Sequence, residues 1–207
     1  MTIAIINTFT SNIKSVYNSL EYLGYNDYEE ISYKNLDIEK KFTHIILPGN
    51  GSFKDNMKKI KEGKLEQFII KNFQENNFFL GICVGMQILA TYGEENGITK
   101  GLNIIPGTVK KIPVKKNILP HIGWNEMIIE KQDKIFNNIK NSEQTFYFLH
   151  SYYFDLKDEA HLLATANYEI KLTACIKKNN FYGVQFHPEK SQSQGLQLIK
   201  NFLELKC

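Results

Sequence analysis

The sequence contains no arginine, so every residue in the Lys+Arg count of 25 is a lysine. The 22 Asp and Glu residues nearly balance these lysines and leave a formal net charge of +3. Arginine is the side chain that makes bidentate contacts with phosphate and guanine, and polyanion binding requires a clustered excess of positive charge. We therefore expect no nucleic-acid partner.

Long apolar runs are also absent from the sequence. No run approaches the roughly 18 residues that a membrane span requires. Residues 1–7 have the pattern of a strand and lack the basic segment with which a signal peptide begins. We expect a cytoplasmic protein with no membrane contact.

Cysteine is scarce, and linker-like segments are missing. Three cysteines, an odd number at no metal-ligand spacing, fit a reducing compartment and predict no metal site. The sequence has no phosphate-binding P-loop, and we expect no cofactor. No segment rich in glycine, serine or proline divides the chain, so residues 1–207 are predicted to form one domain.

The apolar pattern that is present predicts an α/β protein. Residues 2–7 form an apolar run of strand length, and helical spacing follows until Gly24. A second amphipathic segment at residues 64–76 precedes another apolar strand. From Gly101 onward, short strand-like runs are separated by prolines. We expect a mostly parallel sheet with helices on both faces, an antiparallel extension, and catalytic groups at the carboxyl ends of strands.

Cys83 lies in the string FFLGICVGMQ at residues 78–87, between an apolar strand and a segment with helical spacing. Gly81 and Gly85 flank it, two residues away on each side. A nucleophile elbow needs small neighbours because the strand and helix backbones approach closely, and the helix N-terminus favours an anion such as a thiolate. The string predicts a nucleophilic cysteine. The alternative is a buried cysteine that packs as a small hydrophobe.

His187 is the predicted base for this thiol. The segment at residues 181–186 alternates as a strand does and runs directly into His187, Pro188 and Glu189. Proline fixes the turn, so the carboxylate of Glu189 can reach the far nitrogen of the ring, orient it and stabilise its charged form. The three side chains predict a Cys-His-Glu triad. Taken alone, a His-x-Glu sequence is more often a surface turn.

The string LPGNGSF at residues 47–53 begins with the last residue of a short apolar strand at residues 43–47, and the glycine-rich turn at residues 48–53 that follows the strand predicts an oxyanion hole. Acyl chemistry at a thiolate generates an oxyanion, which two backbone amides usually bind. Here the donors would be Val84 and either Asn50 or Gly51. Taken alone, such a glycine-rich turn is weak evidence.

These strings, together with HPEK at residues 187–190, resemble the signatures of the class I glutamine amidotransferases. Two more strings, PHIGWN at 120–125 and HSYY at 150–153, resemble those of the glutaminase subunits of imidazole glycerol phosphate synthases. The resemblance spans nearly the whole chain. It implies a flavodoxin-like fold, no cofactor, and a heterodimer with a separate cyclase or synthase that receives the ammonia.

The resemblance also implies roles for individual residues. Cys83 would attack the side-chain amide of L-glutamine, His187 would carry the proton to the departing ammonia, and Glu189 would hold His187. The predicted contacts to glutamine are Gly49, Gly51, Gln87, Ser151 and Tyr152. The predicted contacts to the synthase partner are Lys190, Pro120, Trp124 and Asn125. Without the resemblance, Lys190 would be taken as a solvated lysine and Trp124 as part of a packed loop.

Two departures from the family pattern leave alternatives open. The family has Asp-Tyr-Gly, another glycine and Asn after its first strand, whereas this chain has NTFTSN at residues 7–12. Asn50 stands where a small apolar residue is usual. One alternative is a paralogous glutaminase that feeds a sugar-amidinating synthase. Alternatives of another class are a cysteine hydrolase of other amides and a non-catalytic interaction subunit.

Overall fold

The computed structural model describes residues 1–10, 13–139 and 144–206. The strands are β1 (Ile3–Ile6), β2 (Tyr28–Ile31), β3 (His44–Gly49), β4 (Phe78–Cys83), β5 (Tyr92–Gly93), β6 (Thr99–Lys100), β7 (Gly107–Lys111), β8 (His121–Ile129), β9 (Thr145–His150), β10 (Tyr152–Leu156), β11 (Leu162–Tyr168), β12 (Ile170–Lys178) and β13 (Phe181–Val184). The α-helices are α1 (Lys14–Tyr22), α2 (Phe53–Glu62), α3 (Leu65–Gln74), α4 (Val84–Gln87) and α5 (Gln192–Leu203).

Nine strands form one mixed sheet in the order β2-β1-β3-β4-β13-β12-β11-β8-β9. The pairs among β2, β1, β3, β4 and β13 are parallel. The pairs from β13 to β9 are antiparallel. Strands β1, β3, β4 and β13 are buried along their whole length, as continuous apolar runs in a parallel sheet should be. A second sheet, in the order β10-β7-β5-β6, was not predicted.

Helices cover both faces of the large sheet. Phe181 and Tyr182 are consecutive in β13 and therefore point to opposite faces. The ring of Phe181 packs against Phe73 of α3, with 5.0 Å between centroids, whereas Tyr182 packs against Phe202 of α5 at 6.4 Å. Helices α3 and α5 thus lie on opposite sides of the sheet, which confirms the predicted α/β architecture.

Local sequence explains where two of these helices begin. The Ser52 side chain accepts a hydrogen bond from the backbone N–H of Asp55 at 3.1 Å and caps α2. Lys64 adopts a left-handed conformation with φ 57° and separates α2 from α3. The helix predicted at residues 64–76 is present as α3, one residue shorter at its start and two residues shorter at its end. No described helix is long and apolar enough to cross a membrane.

Candidate active site

Cys83 ends β4 in a strained backbone conformation, with φ 55° and ψ −111°. A Cβ atom added to Gly85 would lie 2.0 Å from the carbonyl oxygen of Leu47, and one added to Gly81 would lie 2.4 Å from the Gly85 oxygen. The two flanking glycines therefore allow the backbone after the cysteine to turn tightly against β3 and β4. The geometry is that of the predicted elbow.

The helix after the elbow, α4, is one turn long and covers only Val84–Gln87. The next carbonyls bond elsewhere: that of Ile88 accepts from the Leu102 N–H at 2.8 Å, and that of Leu89 from the Ile104 N–H at 3.0 Å. These bonds fasten the chain to the segment that leads into β7.

His187 and Glu189 follow β13, which lies beside β4 in the parallel part of the sheet. Nδ1 of His187 lies 2.8 Å from Oε1 of Glu189, and both side chains are nearly inaccessible. The His187 backbone N–H donates to the Tyr147 carbonyl at 2.9 Å, and the Ser191 hydroxyl donates to the His187 carbonyl at 2.6 Å. These bonds fix the turn that presents the ring.

The charge state of His187 reflects opposing influences. Burial alone would lower the pKa of His187, but the adjacent Cys83 and Glu189 outweigh it and raise the pKa to about 10. Nε2 of the ring is buried and has no atom of the described residues at hydrogen-bond distance and angle. The ring nevertheless lies close enough to Cys83 to interact with its sulfur. The arrangement favours the charged form of the His187 ring beside Cys83.

Two further groups contact the sulfur of Cys83. Nε2 of Gln185 lies 3.7 Å from Sγ and donates to it. The Leu149 carbonyl lies 3.8 Å from Sγ and accepts from the protonated thiol. Sequence reasoning did not select Gln185. The signal was available, because a glutamine within the apolar end of a buried strand needs a buried polar partner.

The glycine-rich loop begins later than predicted, since β3 continues through Pro48 to Gly49. The backbone N–H of Gly51 donates to the Oδ1 atom of its neighbour Asn50 at 2.8 Å. One of the predicted oxyanion donors is therefore occupied by a side chain in this structure. Nδ2 of Asn56 holds the loop in place by donating to the carbonyls of Asn50 at 2.8 Å and Ser52 at 2.9 Å.

The altered turn after β1 contacts the same asparagine. The Thr10 hydroxyl donates to Oδ1 of Asn56 at 2.8 Å, and the Thr8 and Thr10 hydroxyls are 2.7 Å apart. Residues 11 and 12, the last two of the predicted turn, lie outside the described residues. The two departures from the family pattern, this turn and Asn50, are thus joined through the side chain of Asn56.

A cavity of about 390 Å³ lies over Cys83. It is lined by Asn50, Gly51, Ser52, Cys83, Val84, Gln87, Glu95, Pro120, Leu149, His150, Ser151 and Tyr152. The cavity therefore brings together the elbow, the glycine-rich loop and all the residues predicted to contact glutamine except Gly49. Gly49 instead pairs in register with Cys83 between β3 and β4. His187 does not line the cavity.

Glu95 contributes a carboxylate to this cavity, and sequence reasoning missed it. Its Oε2 atom accepts a hydrogen bond from the backbone N–H of Phe53 at 2.7 Å, which places the carboxylate at the start of α2. No motif or spacing singles it out in the sequence, because it belongs to an ordinary polar turn between β5 and β6. The carboxylate can accept from a cationic group inside the cavity.

The residues predicted to contact a partner have different surroundings. Lys190 is exposed, and 49% of the surface of Trp124 is accessible, with its ring edge-to-face against Tyr147 at 6.0 Å. Pro120 lines the cavity. Asn125 is half-buried, and its Nδ2 donates to the Asn167 carbonyl at 2.9 Å. The four residues do not share one environment, and their role in an interface stays a prediction.

Three histidines outside the triad, His44, His121 and His150, are buried. Nδ1 of His121 lies 3.0 Å from Nε2 of His150, and Nδ1 of His150 lies 2.9 Å from the Tyr152 carbonyl. Burial lowers the pKa of His44 and of His121 to about 4, and that of His150 to about 3. Among residues 1–10, 13–139 and 144–206, no cluster of three or more His, Cys, Asp or Glu side chains could hold a metal ion.

The family model described as Glutamine amidotransferase class-I matches residues 4–205. The chain belongs to this family. Curated class I glutamine amidotransferases are similar over nearly their full length. Imidazole glycerol phosphate synthase subunit HisH of Geobacter sulfurreducens is 38% identical over 210 residues, which cover 99% of each chain. Subunit HisH 1 of Campylobacter jejuni subsp. jejuni is 40% identical, over 98% of this chain and 100% of that protein.

Solved structures share the fold of this class I glutamine amidotransferase. A crystal structure of a glutamine amidotransferase superposes with a TM-score of 0.71 at 17% identity and covers 97% of both chains. PurLQS from Thermotoga maritima superposes with a TM-score of 0.68 at 21% identity, over 98% of this chain and 97% of that chain. At these identities the likeness concerns the fold alone.

Proposed function

We propose that this chain is the glutaminase subunit of an imidazole glycerol phosphate synthase in histidine biosynthesis. It hydrolyses L-glutamine to L-glutamate and passes the ammonia to a cyclase subunit. The observation that carries this proposal is the full-length similarity, at 38–40% identity, to proteins named as the HisH subunit of that synthase. The contact between His187 and Glu189 next to Cys83 supports the chemistry.

In the first half of the proposed reaction, the Cys83 thiolate attacks the side-chain carbonyl carbon of glutamine. The carbonyl oxygen becomes an oxyanion, which the backbone N–H groups of Val84 and of Asn50 or Gly51 bind. The His187 imidazolium gives its proton to the amide nitrogen, the C–N bond breaks, and ammonia leaves. A thioester between Cys83 and the γ-glutamyl group remains.

In the second half, water attacks the thioester carbon while neutral His187 accepts a proton from the water. The oxyanion forms again in the same position, the C–S bond breaks, and the γ-carboxylic acid leaves and gives its proton to water, which yields glutamate. The Cys83 thiolate and the His187 imidazolium are restored. Glu189 keeps the ring oriented and stabilises its positive charge in the steps where the ring is protonated.

The cavity supports binding of a free amino acid. Glutamine enters with its side-chain amide at Cys83, so its α-carboxylate and α-ammonium lie toward the rim. We assign the carboxylate of Glu95 to the α-ammonium, and the backbone at Gly51, Ser151 and Tyr152 and the side chain of Gln87, which also line the cavity, to the remaining polar atoms. Gly49 pairs with Cys83 outside the cavity lining, and its contact with glutamine stays a prediction.

The proposal includes a heterodimer. Ammonia released into water would be protonated and would lose its nucleophilicity, so a second active site must receive it directly. We assign the partner interface to the surface that carries Lys190, Pro120, Trp124 and Asn125. We further take residues 1–207 as one domain and the cytoplasm as its location, where the free thiols of Cys83 and Cys175 stay reduced.

Reconstitution tests this function. The chain is combined with a cyclase that converts a phosphoribosyl formimino nucleotide to imidazole glycerol phosphate, and glutamate and imidazole glycerol phosphate are both measured with glutamine as the only nitrogen source. We expect the two products in equal amounts. Glutamate without imidazole glycerol phosphate, together with activity alongside a sugar-directed synthase, would move the assignment to a paralogue. Absence of glutamate with either partner would overturn the glutaminase itself.

A further inference from the structure

Gln185 is buried completely, with no accessible surface, in the segment between β13 and His187. Its side chain has polar partners at both ends. Oε1 accepts from Nε2 of Gln87 at 2.9 Å, and Nε2 donates to Sγ of Cys83 at 3.7 Å. A buried amide is costly unless its groups are hydrogen-bonded. Here one of those bonds goes to the sulfur of the nucleophile.

A single carbonyl fixes the direction of this hydrogen-bond chain. The Tyr152 carbonyl has no proton, so it can only accept, and Nε2 of Gln87 donates to it at 2.9 Å. The same Nε2 donates to Oε1 of Gln185. Since Gln185 turns its oxygen toward Gln87, its NH₂ group must face Cys83. The sulfur therefore meets a donor rather than an acceptor.

A hydrogen bond from His150 helps to fix the same orientation of the amides. Its Nδ1 lies 2.9 Å from the same Tyr152 carbonyl, and a bond to a carbonyl requires a proton on Nδ1. His150 is buried, and its Nε2 contacts Nδ1 of His121 at 3.0 Å. The carbonyl thus receives two N–H groups, which hold it in place and keep the amide of Gln87 in one orientation.

We propose that Gln185 is a positioning residue that acts on the nucleophile, by donating an N–H hydrogen bond to Cys83 that favours the thiolate and fixes the sulfur's direction. The inference rests on the proposed function only in taking Cys83 as the nucleophile. The Leu149 carbonyl accepts only from the protonated thiol, so loss of the thiol proton breaks that bond and leaves Gln185 as a donor to the anion. Hydrogen bonds to charged groups are the stronger class.

The test compares Gln185→Met, which keeps the length of the side chain and removes the donor, with the wild-type chain in complex with its cyclase. We expect kcat for glutamate formation to fall roughly tenfold, the effect of one hydrogen bond to a charged group, with KM nearly unchanged. Alkylation of Cys83 by iodoacetamide, mapped by mass spectrometry, should slow by a similar factor. The absorbance of the Cys83 thiolate, measured with a Cys83→Ser chain as the blank, should be lower in Gln185→Met than in the wild-type chain.

Asn201→Leu is the matched control. Asn201 is also a buried amide, whose Nδ2 donates to the carbonyls of Ile135 at 2.9 Å and Asn137 at 2.6 Å, but it lies in α5 and does not line the cavity. We expect this variant to lower the melting temperature and to leave the alkylation rate of Cys83 unchanged. The control separates general loss of a buried amide from loss of the bond to sulfur.

A second variant at the same position tests the proposal if Gln185→Met folds poorly. Gln185→Asn keeps an amide that is too short to reach both partners, and it should slow alkylation in the same way. Wild-type alkylation rates in folded Gln185→Met or Gln185→Asn would overturn the proposal. Because alkylation needs no glutamine, a wild-type complex that releases no ammonia would count against the proposed function, while the alkylation rates would still decide the role of Gln185.

Discussion

Nδ1 of His187 and Oε1 of Glu189 are 2.8 Å apart although only Pro188 separates the two residues in the chain. Both side chains are almost fully buried, so the charge of the carboxylate is poorly screened by water. Burial alone would lower the pKa of His187, but Cys83 and Glu189 together raise it to about 10. The ring is thereby kept charged and oriented beside the sulfur.

Glu189→Gln should reduce kcat for glutamate formation by roughly 10²-fold to 10⁴-fold, since a neutral amide can impose the wrong tautomer on the ring and cannot stabilise its charge. Steady-state kinetics of the complex with its cyclase measures this change. Glu204→Gln is the matched control, because Glu204 lies in an exposed pair with Lys200. Similar losses in both variants, or none in Glu189→Gln, would contradict the role assigned to Glu189.

Asn50→Ala should increase the glutaminase rate of the chain without its partner. The Asn50 side chain occupies the Gly51 N–H at 2.8 Å, and its removal frees that donor for the oxyanion. One oxyanion donor contributes about 2.7–4 kcal/mol of transition-state stabilisation, so the freed N–H should increase the rate by roughly 10²-fold to 10³-fold. Glutamate release by the isolated chain measures it.

Asn50→Asp is the control for this variant. Its carboxylate still accepts from the Gly51 N–H, so the isolated chain should stay as slow as the wild type. If both variants behave alike, the side chain of Asn50 does not limit the basal activity. The contrast between an accepting and a non-accepting side chain isolates the hydrogen bond from any change in loop size.

Glu95→Gln should raise KM for glutamine about tenfold, the value of one charge-assisted hydrogen bond, with a smaller effect on kcat. The glutamine side chain keeps an oxygen for the Phe53 N–H, so α2 retains its bond. Glu94→Gln, at an exposed neighbouring position, should leave KM unchanged. An unchanged KM in Glu95→Gln would exclude Glu95 from binding the α-ammonium.

Stability should decrease as the pH falls from 7 toward 4. Burial lowers the pKa of His44 and His121 to about 4 and that of His150 to about 3, from a usual value of 6.5. At a pH between the folded and the unfolded pKa of a ring, the unfolded chain binds more protons than the folded chain. Each of these rings therefore lowers the free energy of unfolding by up to about 2 kcal/mol at pH 5. Urea unfolding at several pH values measures this. His121→Phe, which keeps the stacking on Phe148 and Tyr168, should flatten the profile.

His187 acts in the opposite direction at higher pH. Because the pKa of His187 is raised to about 10, the folded chain binds the proton of the ring more tightly than the unfolded chain does. The stabilisation of the fold by the charged ring is therefore complete below pH 6.5 and is lost as the pH rises toward 10. Stability that increased steadily from pH 7 to pH 10 would contradict the assigned charge of His187.

The sequence was sufficient for the elements that follow local rules. Unbroken apolar runs predicted the buried strands β1, β3 and β4, and helical spacing predicted α1 and α3. Gly81 and Gly85 predicted the elbow because only glycine fits where two backbones meet. Strands and helices of this kind depend on the spacing of neighbouring residues, and the paired glycines record a close backbone approach even where the second backbone, at Leu47, is distant in the sequence.

What the sequence did not predict depends on contacts between distant segments. The helix after Cys83 is one turn long because residues 101–105 bond to its following carbonyls. Glu95 enters the cavity only because β5 and β6 fold next to α2, and Gln185 meets Cys83 across 102 positions of the chain. The small sheet of β10, β7, β5 and β6 likewise forms from short strands with weak individual patterns.

The most direct test of the account is mass spectrometry of the complex with its cyclase after incubation with a glutamine-mimicking diazo compound. We predict one covalent adduct for each chain, confined to Cys83 and suppressed by excess glutamine, while the buried Cys175 stays unmodified. Absence of an adduct, or an adduct on another residue that glutamine does not suppress, would contradict the claim that Cys83 takes the amide of glutamine.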